Sequence, residues 1–162
     1  LYVPKFEYIK NRLLSFFDSE GGTYNFQSSK AIDSITSGGF FGKGIGEGTL
    51  KNKVPEAHTD YIISVISEEF GVIVIILILF LFLTFLFSII KKVNTEIDDK
   101  IKLILVGSIS LILIQAMIHI GVNIRLFPTT GMTLPFLSYG GSSIISVSIL
   151  SGIILNLTKR RI

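Results

Sequence analysis

The sequence predicts an all-α integral membrane protein, with three transmembrane helices and a large extracytoplasmic loop that carries short interfacial helices. Three observations predict it. Of the 162 residues, 49% are hydrophobic and the mean hydropathy is +0.65, too apolar for an ordinary soluble domain. The apolar residues are gathered into blocks, and the 21 residues from Phe70 to Ile90 carry no charge. At 1.5 Å per residue that block reaches roughly 31 Å, enough for a bilayer core. Lys and Arg cluster beside the blocks, where positive-inside orientation explains them.

The same numbers exclude several classes. A net charge of +3, with its cations beside apolar spans, is a poor footprint for nucleic acid. Cysteine is absent, so there is no disulfide framework, thiol nucleophile or thiolate metal site. Residue 1 is Leu and no signal peptide opens the chain, so the expectation is a stretch of a longer protein.

Residues 1–59 read as the extracytoplasmic loop. Within Leu1 to Asp18, Ile9, Leu13 and Phe16 fall at helical spacing, with Lys10 and Arg12 on other sides, as in an interfacial helix. A second short helix is expected within Asn25 to Ile35, with Phe26, Ala31 and Ile35 as its apolar positions. Gly38 to Gly48 then holds six glycines in eleven residues, which permits positive φ and close backbone approach. It lacks the Gly-Lys-Ser/Thr ending of a phosphate-binding loop. A tight loop lying on membrane helices is the favoured reading over ligand cradling.

A helix is expected from Thr59 or Asp60, and residues 60–92 form the first span, closed by Lys91 and Lys92. Residues 93–100 make a charged cytoplasmic loop and residues 101–122 the second span. Ser108, Gln115, His119 and Asn123 follow one another at intervals of 7, 4 and 4, one face of that helix. A polar stripe in a membrane faces protein or a wet cavity, not lipid. Residues 123–142 are a Pro/Gly loop, residues 143–158 a third span with small residues at Ser146, Ser148, Ser151 and Gly152, and residues 159–162 a basic tail. The cations of 91–102 and 159–161 share one side, the cytoplasm. The segment from His58 to Asp60 and the Pro/Gly loop then both face outward.

The segment Val54 to Tyr61 concentrates ionisable groups at the mouth of the first span: Glu56, His58 and Asp60 lie within five residues. From Asp60, the residues Ser64, Ser67, Glu68 and Gly71 fall on one side of a helix, as a polar groove headed by a carboxylate. Asp60 has two compatible roles. It can cap the helix, which most Asp residues at helix starts do, or act as a general base if burial raises its pKa. Glu68 and Glu69 read as interfacial charges. Two histidines 61 positions apart make a metal site a weak proposal, and the serines carry no nucleophile-elbow pattern.

Four blocks in order carry a family resemblance: Gly38 to Gly48, Pro55 to Ile62, Glu68 to Gly71, and Phe127 to Ser143, the last reading Phe-Pro-Thr-Thr-Gly-Met-Thr-Leu-Pro-Phe-Leu-Ser-Tyr-Gly-Gly-Ser-Ser. The chain resembles the SEDS family (shape, elongation, division and sporulation; FtsW, RodA and SpoVE branches) over nearly its whole length. The Pro-Thr-x-Gly-x-Thr-Leu-Pro wording is most similar to the FtsW branch.

The resemblance implies the final three helices of a ten-helix fold, plus the outer loop before them. It implies a peptidoglycan glycosyltransferase that polymerises lipid II into glycan strands during cell division, in the bacterial cytoplasmic (inner) membrane with its site on the extracytoplasmic side. The family's essential acidic residue matches Asp60, which the resemblance raises from cap to general base. Its site would draw substrate contacts from Lys43, Lys51, Lys53, Glu56, His58, Thr59, Glu68, Ser138 and Gly140. Lys43, Lys51, Lys53 or Arg12 would offset the charge of the leaving pyrophosphate. No cofactor or metal is implied, and a divalent cation stays open. The implied partners are lipid II, a class B penicillin-binding protein, other divisome membrane proteins and membrane lipid. Family members usually have Asn at the position of His119 and Phe at that of Tyr61, so His119 reads as a hydrogen-bonding group between helices. Because the family's site is walled by both halves of the fold, the resemblance implies that this stretch is inactive by itself. The alternatives are a lipid II flippase, using the polar faces of Ser64, Glu68, Gln115 and His119, and a divisome scaffold.

Overall fold

The structure, a computed structural model, describes residues 10, 23–54 and 57–159, with backbone alone at 23–25 and 51. The expected helix within Leu1 to Asp18 and the positions of Arg12 and Glu56 lie outside the described residues. Among the described residues the elements are all helical: α1 (Thr23–Gly38), α2 (Leu50–Lys53), α3 (Ile62–Phe70), α4 (Val72–Thr95), α5 (Asp99–Asn123) and α6 (Gly141–Thr158).

Helices α4, α5 and α6 are long and apolar enough to cross a membrane. Their outward side chains, such as Phe80, Leu103 and Ile149, are exposed hydrocarbon. Only three residues separate α4 from α5, so the two helices run back against each other. The Asp98 carboxylate accepts the Lys100 N–H at 2.9 Å and caps α5. Helix α5 packs against both other spans. Ile89, Leu105, Ile109, Ile112 and Ile154 form the core between the three. Close packing, not escape from water, is what holds such a contact inside a bilayer.

The other three helices form a layer at one end of the spans. Helix α1 lies mainly on α3, and Ala31, Leu50, Val54, Ala57, Tyr61, Val65 and Val122 make their shared core. A third cluster, Ile63, Ala116 and Leu134, joins α3 to α5 and to the Pro/Gly loop.

The expected single helix over 60–92 is split. Gly71 stands between α3 and α4 with φ 81° and ψ 177°, a conformation almost confined to glycine. The glycine-rich loop fills the break. The Lys43 and Gly44 N–H groups donate to the Glu68 and Glu69 carbonyls at 2.8 and 3.0 Å, and the Val72 N–H donates to the Gly39 carbonyl at 3.0 Å. The loop therefore satisfies the last carbonyls of one helix and the first N–H of the next. The approach is backbone to backbone. A Cβ on Gly42 would collide with the Glu69 carbonyl, and one on Gly71 with that of Phe40. This is the sequence expectation of a loop lying on helices, with a use the glycine count did not reveal.

Candidate functional site

The segment that ends in Asp60 is a turn, not the start of a helix. Residues 57–61 are turn, α3 begins at Ile62, and Tyr61 is its N-cap with no side-chain capping bond. The expected cap role of Asp60 is corrected on this point. Ala57 and Tyr61 are buried and anchor the turn from below, while His58 is exposed and Thr59 and Asp60 are half-buried.

Three consecutive carbonyls of this turn are held from outside it. The His58 oxygen accepts the Tyr139 N–H at 3.2 Å. The Thr59 oxygen accepts the Ser138 hydroxyl at 2.9 Å. The Asp60 oxygen accepts the Asn123 side-chain amide at 2.9 Å. The two loops that the sequence assigns to one side of the membrane thus meet in a hydrogen-bonded seam.

Asn123 is buried at the end of α5. Its Oδ1 accepts both the Ser64 N–H (3.1 Å) and the Ser64 hydroxyl (2.7 Å). Its Nδ2 reaches the His119 carbonyl (2.9 Å) and lies 3.1 Å from His119 Nδ1. His119 Nε2 is 3.5 Å from Ser138 Oγ, which also accepts the Leu134 N–H at 2.7 Å. One turn lower, Gln115 Nε2 donates to the Thr133 carbonyl (2.9 Å) and the Ser143 hydroxyl (3.1 Å). The polar stripe of α5 faces protein as expected, and His119 bonds between elements.

The polar face of α3 is not an open groove. Ser64, Ser67 and Glu68 are buried, Ser64 against Asn123 and the Ser67–Glu68 backbone against Gly38. Glu68 is 1% exposed and is no interfacial charge. Its Oε1 accepts the Lys43 ammonium (2.8 Å) and the Thr49 hydroxyl (3.1 Å), and its Oε2 accepts the Thr49 and Leu50 N–H groups (3.0 Å each). Burial by itself raises its pKa, but the Lys43 ammonium and these donors outweigh it and hold the carboxyl at about 2. Glu68 thereby caps α2 from across the fold, since Thr49, the N-cap, makes no side-chain cap of its own.

The sequence-based substrate contacts sort accordingly. Lys43 and Glu68 are spent on each other, and Ser138 on Thr59. Lys53 on α2 is exposed, with Nζ 3.3 Å from Thr49 Oγ1. Lys51 lies on the same helix with only its backbone described. Gly140 lines a cleft of about 520 Å³ between α5, α6 and the Pro/Gly loop, beside Gln115, Thr133 and Ser143. Among the described residues no three His, Asp or Glu side chains are grouped to share a cation. Sequence reasoning missed the grips of Asn123 and Ser138 on the Asp60 turn. The stripe that includes Asn123 was the available signal.

The model of the FtsW/RodA/SpoVE family, described as cell cycle protein, matches residues 2–161. A probable peptidoglycan glycosyltransferase FtsW of Caulobacter vibrioides is 36% identical over 162 residues, covering 96% of this chain and 40% of the relative. A protein of the same description from Enterococcus hirae is 39% identical over 148 residues, 91% of this chain and 37% of its own. The stage V sporulation protein E of Bacillus subtilis is 42% identical over 135 residues, 83% of this chain and 37% of its own. A solved chain described under structural coordination of polymerization and crosslinking by a peptidoglycan synthase complex superposes with a TM-score of 0.71 at 27% identity, over 93% of this chain and 41% of that one. The chain thus spans about two-fifths of the length of these relatives.

Proposed function

Since this chain belongs to the FtsW/RodA/SpoVE family of cell cycle proteins, we propose that it supplies the Asp60 side of a peptidoglycan glycosyltransferase. The substrate is a polyprenyl-pyrophosphate-linked disaccharide, lipid II, at the outer face of the bacterial cytoplasmic membrane. The partner is a class B penicillin-binding protein that cross-links the product strands, among other divisome membrane proteins.

The observation that carries the reading is the turn that holds Asp60. A half-buried carboxylate stands on a backbone tied down at three successive carbonyls, at the end of three membrane-length helices. Asp60 accepts the proton of the acceptor sugar's hydroxyl as that oxygen attacks the anomeric carbon. The new glycosidic bond forms as the bond to the pyrophosphate oxygen breaks, with inversion. Pyrophosphate leaves as an anion, so one carboxylate suffices and no acid is required. Lys53, exposed on α2, is the described cation suited to the leaving charge. Lys43 is not, because Glu68 engages it at 2.8 Å.

The polar stripe argues against transport. Asn123 and Gln115 already have protein partners, and α4 carries no charge before Lys91, which favours polymerisation over transport.

The test uses the full-length protein, purified with its penicillin-binding partner and given labelled lipid II. Asp60→Asn should lower strand synthesis by about a hundredfold or more. Undiminished synthesis would remove Asp60 as the base.

A further inference from the structure

Two peptide planes meet at the Asp60 α-carbon, and each is fixed by a side chain from elsewhere in the chain. The plane before it carries the Thr59 oxygen, which accepts the Ser138 hydroxyl at 2.9 Å. The plane after it carries the Asp60 oxygen, which accepts the Asn123 amide at 2.9 Å. Holding both planes sets φ and ψ at residue 60, and so sets the direction of its Cα–Cβ bond. Only the two side-chain torsions remain to place the carboxylate.

Both gripping groups are themselves immobilised. Asn123 is 0% exposed, and its oxygen takes two hydrogen bonds from Ser64 while its amide serves the Asp60 and His119 carbonyls. An amide has two donors and an acceptor oxygen with two lone pairs, so this one is fully used. Ser138 is 3% exposed and receives the Leu134 N–H at 2.7 Å. His119 lies between them, its Nδ1 3.1 Å from the Asn123 amide and its Nε2 3.5 Å from Ser138. One ring thus braces both grips.

We propose that Asn123 and Ser138, braced by His119, are positioning residues that aim the Asp60 carboxylate by fixing the two peptide planes around its α-carbon. Ser138 then acts on the backbone and does not touch the sugar. The inference rests on Asp60 being the base. Misplacing a reacting group by about 1 Å costs on the order of a hundredfold in rate, so such aim matters to turnover more than to affinity.

The experiment is steady-state lipid II polymerisation by the full-length protein with its penicillin-binding partner. Asn123→Ala and Ser138→Ala should each lower kcat by about tenfold to a hundredfold with KM changed less than about threefold. Ser138→Thr, which keeps a hydroxyl, should restore most of the loss. The decisive readout is the ratio of kcat between the protein with Asp60 and the same protein with Asp60→Glu. That ratio should be large in the parent and shrink toward one when Asn123→Ala is added, because one extra methylene no longer spoils an aim already lost. A merely structural role would lower both forms equally and leave the ratio unchanged, which overturns the proposal. Should Asn123→Ala fail to fold by circular dichroism, the Ser138→Ala pair of measurements decides in the same way. If Asp60→Asn keeps full activity, the base assignment falls and this inference with it. If Asp60→Asn is inactive but the ratio holds, only the positioning role falls.

Discussion

The Lys43 ammonium lies 2.8 Å from Oε1 of Glu68, a carboxylate that is 1% exposed and accepts three further hydrogen bonds. A buried charge with four donors is stable where it stands and costly to disturb from one side. The pair ties the glycine-rich loop and α2 to the last turn of α3.

Glu68→Ala should therefore destabilise the protein by about 2 kcal/mol, since it leaves the buried Leu50 N–H and the Thr49 N–H without their acceptor, while the exposed Lys43 ammonium can turn to solvent. Lys43→Met should cost less, because Thr49 and Leu50 still donate to the carboxylate. Thermal unfolding in detergent, followed by circular dichroism, ranks the two variants. Equal losses would contradict the arrangement.

Glu68 also makes a pH prediction. Its carboxyl is lowered from 4.5 to about 2 in the folded chain. A depressed carboxylate contributes its full stability above the unfolded value and loses it as pH falls through the folded one. The contribution of Glu68 should be complete above about pH 5 and fade between 4.5 and 2. The difference in unfolding midpoint between the parent and Glu68→Gln, measured across that window, isolates it from other acids. A difference that stays constant to pH 2 would refute the assignment.

Gly71→Ala should be among the most damaging small substitutions in the chain. Its φ of 81° with ψ of 177° suits glycine alone, and the new methyl would meet the Phe40 carbonyl. A loss of about 3 kcal/mol or more is expected. Gly131→Ala is the control, with a φ of 70° but open space around the added carbon, and should cost about 1 kcal/mol. Parallel melts of the two variants give the comparison.

Ser67→Ala should be neutral or slightly stabilising. Its hydroxyl is buried with no hydrogen-bond partner among the described residues. Removing such a group relieves a desolvation cost of about 1 kcal/mol or more. A clear loss in unfolding temperature would mean that the hydroxyl has a partner after all.

Much of this was legible in the chain. Three uncharged or nearly uncharged blocks mark the spans, because hydrocarbon tolerates so little else. The spacing of Ser108, Gln115, His119 and Asn123 marks the face of α5 that turns toward protein. The break at Gly71 was not legible. A glycine inside an apolar run signals little by itself, and its left-handed φ depends on the loop from Gly39 to Gly44 that closes over it. The burial of Glu68 was hidden for the same reason, since its partners Lys43, Thr49 and Leu50 lie 18 to 25 residues upstream. Local reading also makes Asp60 a cap, whereas its backbone is claimed by Asn123, 63 residues away.

The joint at Gly71 has a bearing on how the protein meets bilayers of different thickness. A rod of 24 residues, roughly 36 Å by its rise per residue, is longer than the usual hydrocarbon slab and must lean to fit. Were α3 a straight continuation of that rod, every degree of lean would swing the Asp60 turn through space. The rod instead ends at a glycine corner strapped by main-chain bonds, so its length and the placement of the Asp60 turn are set by different segments of the chain.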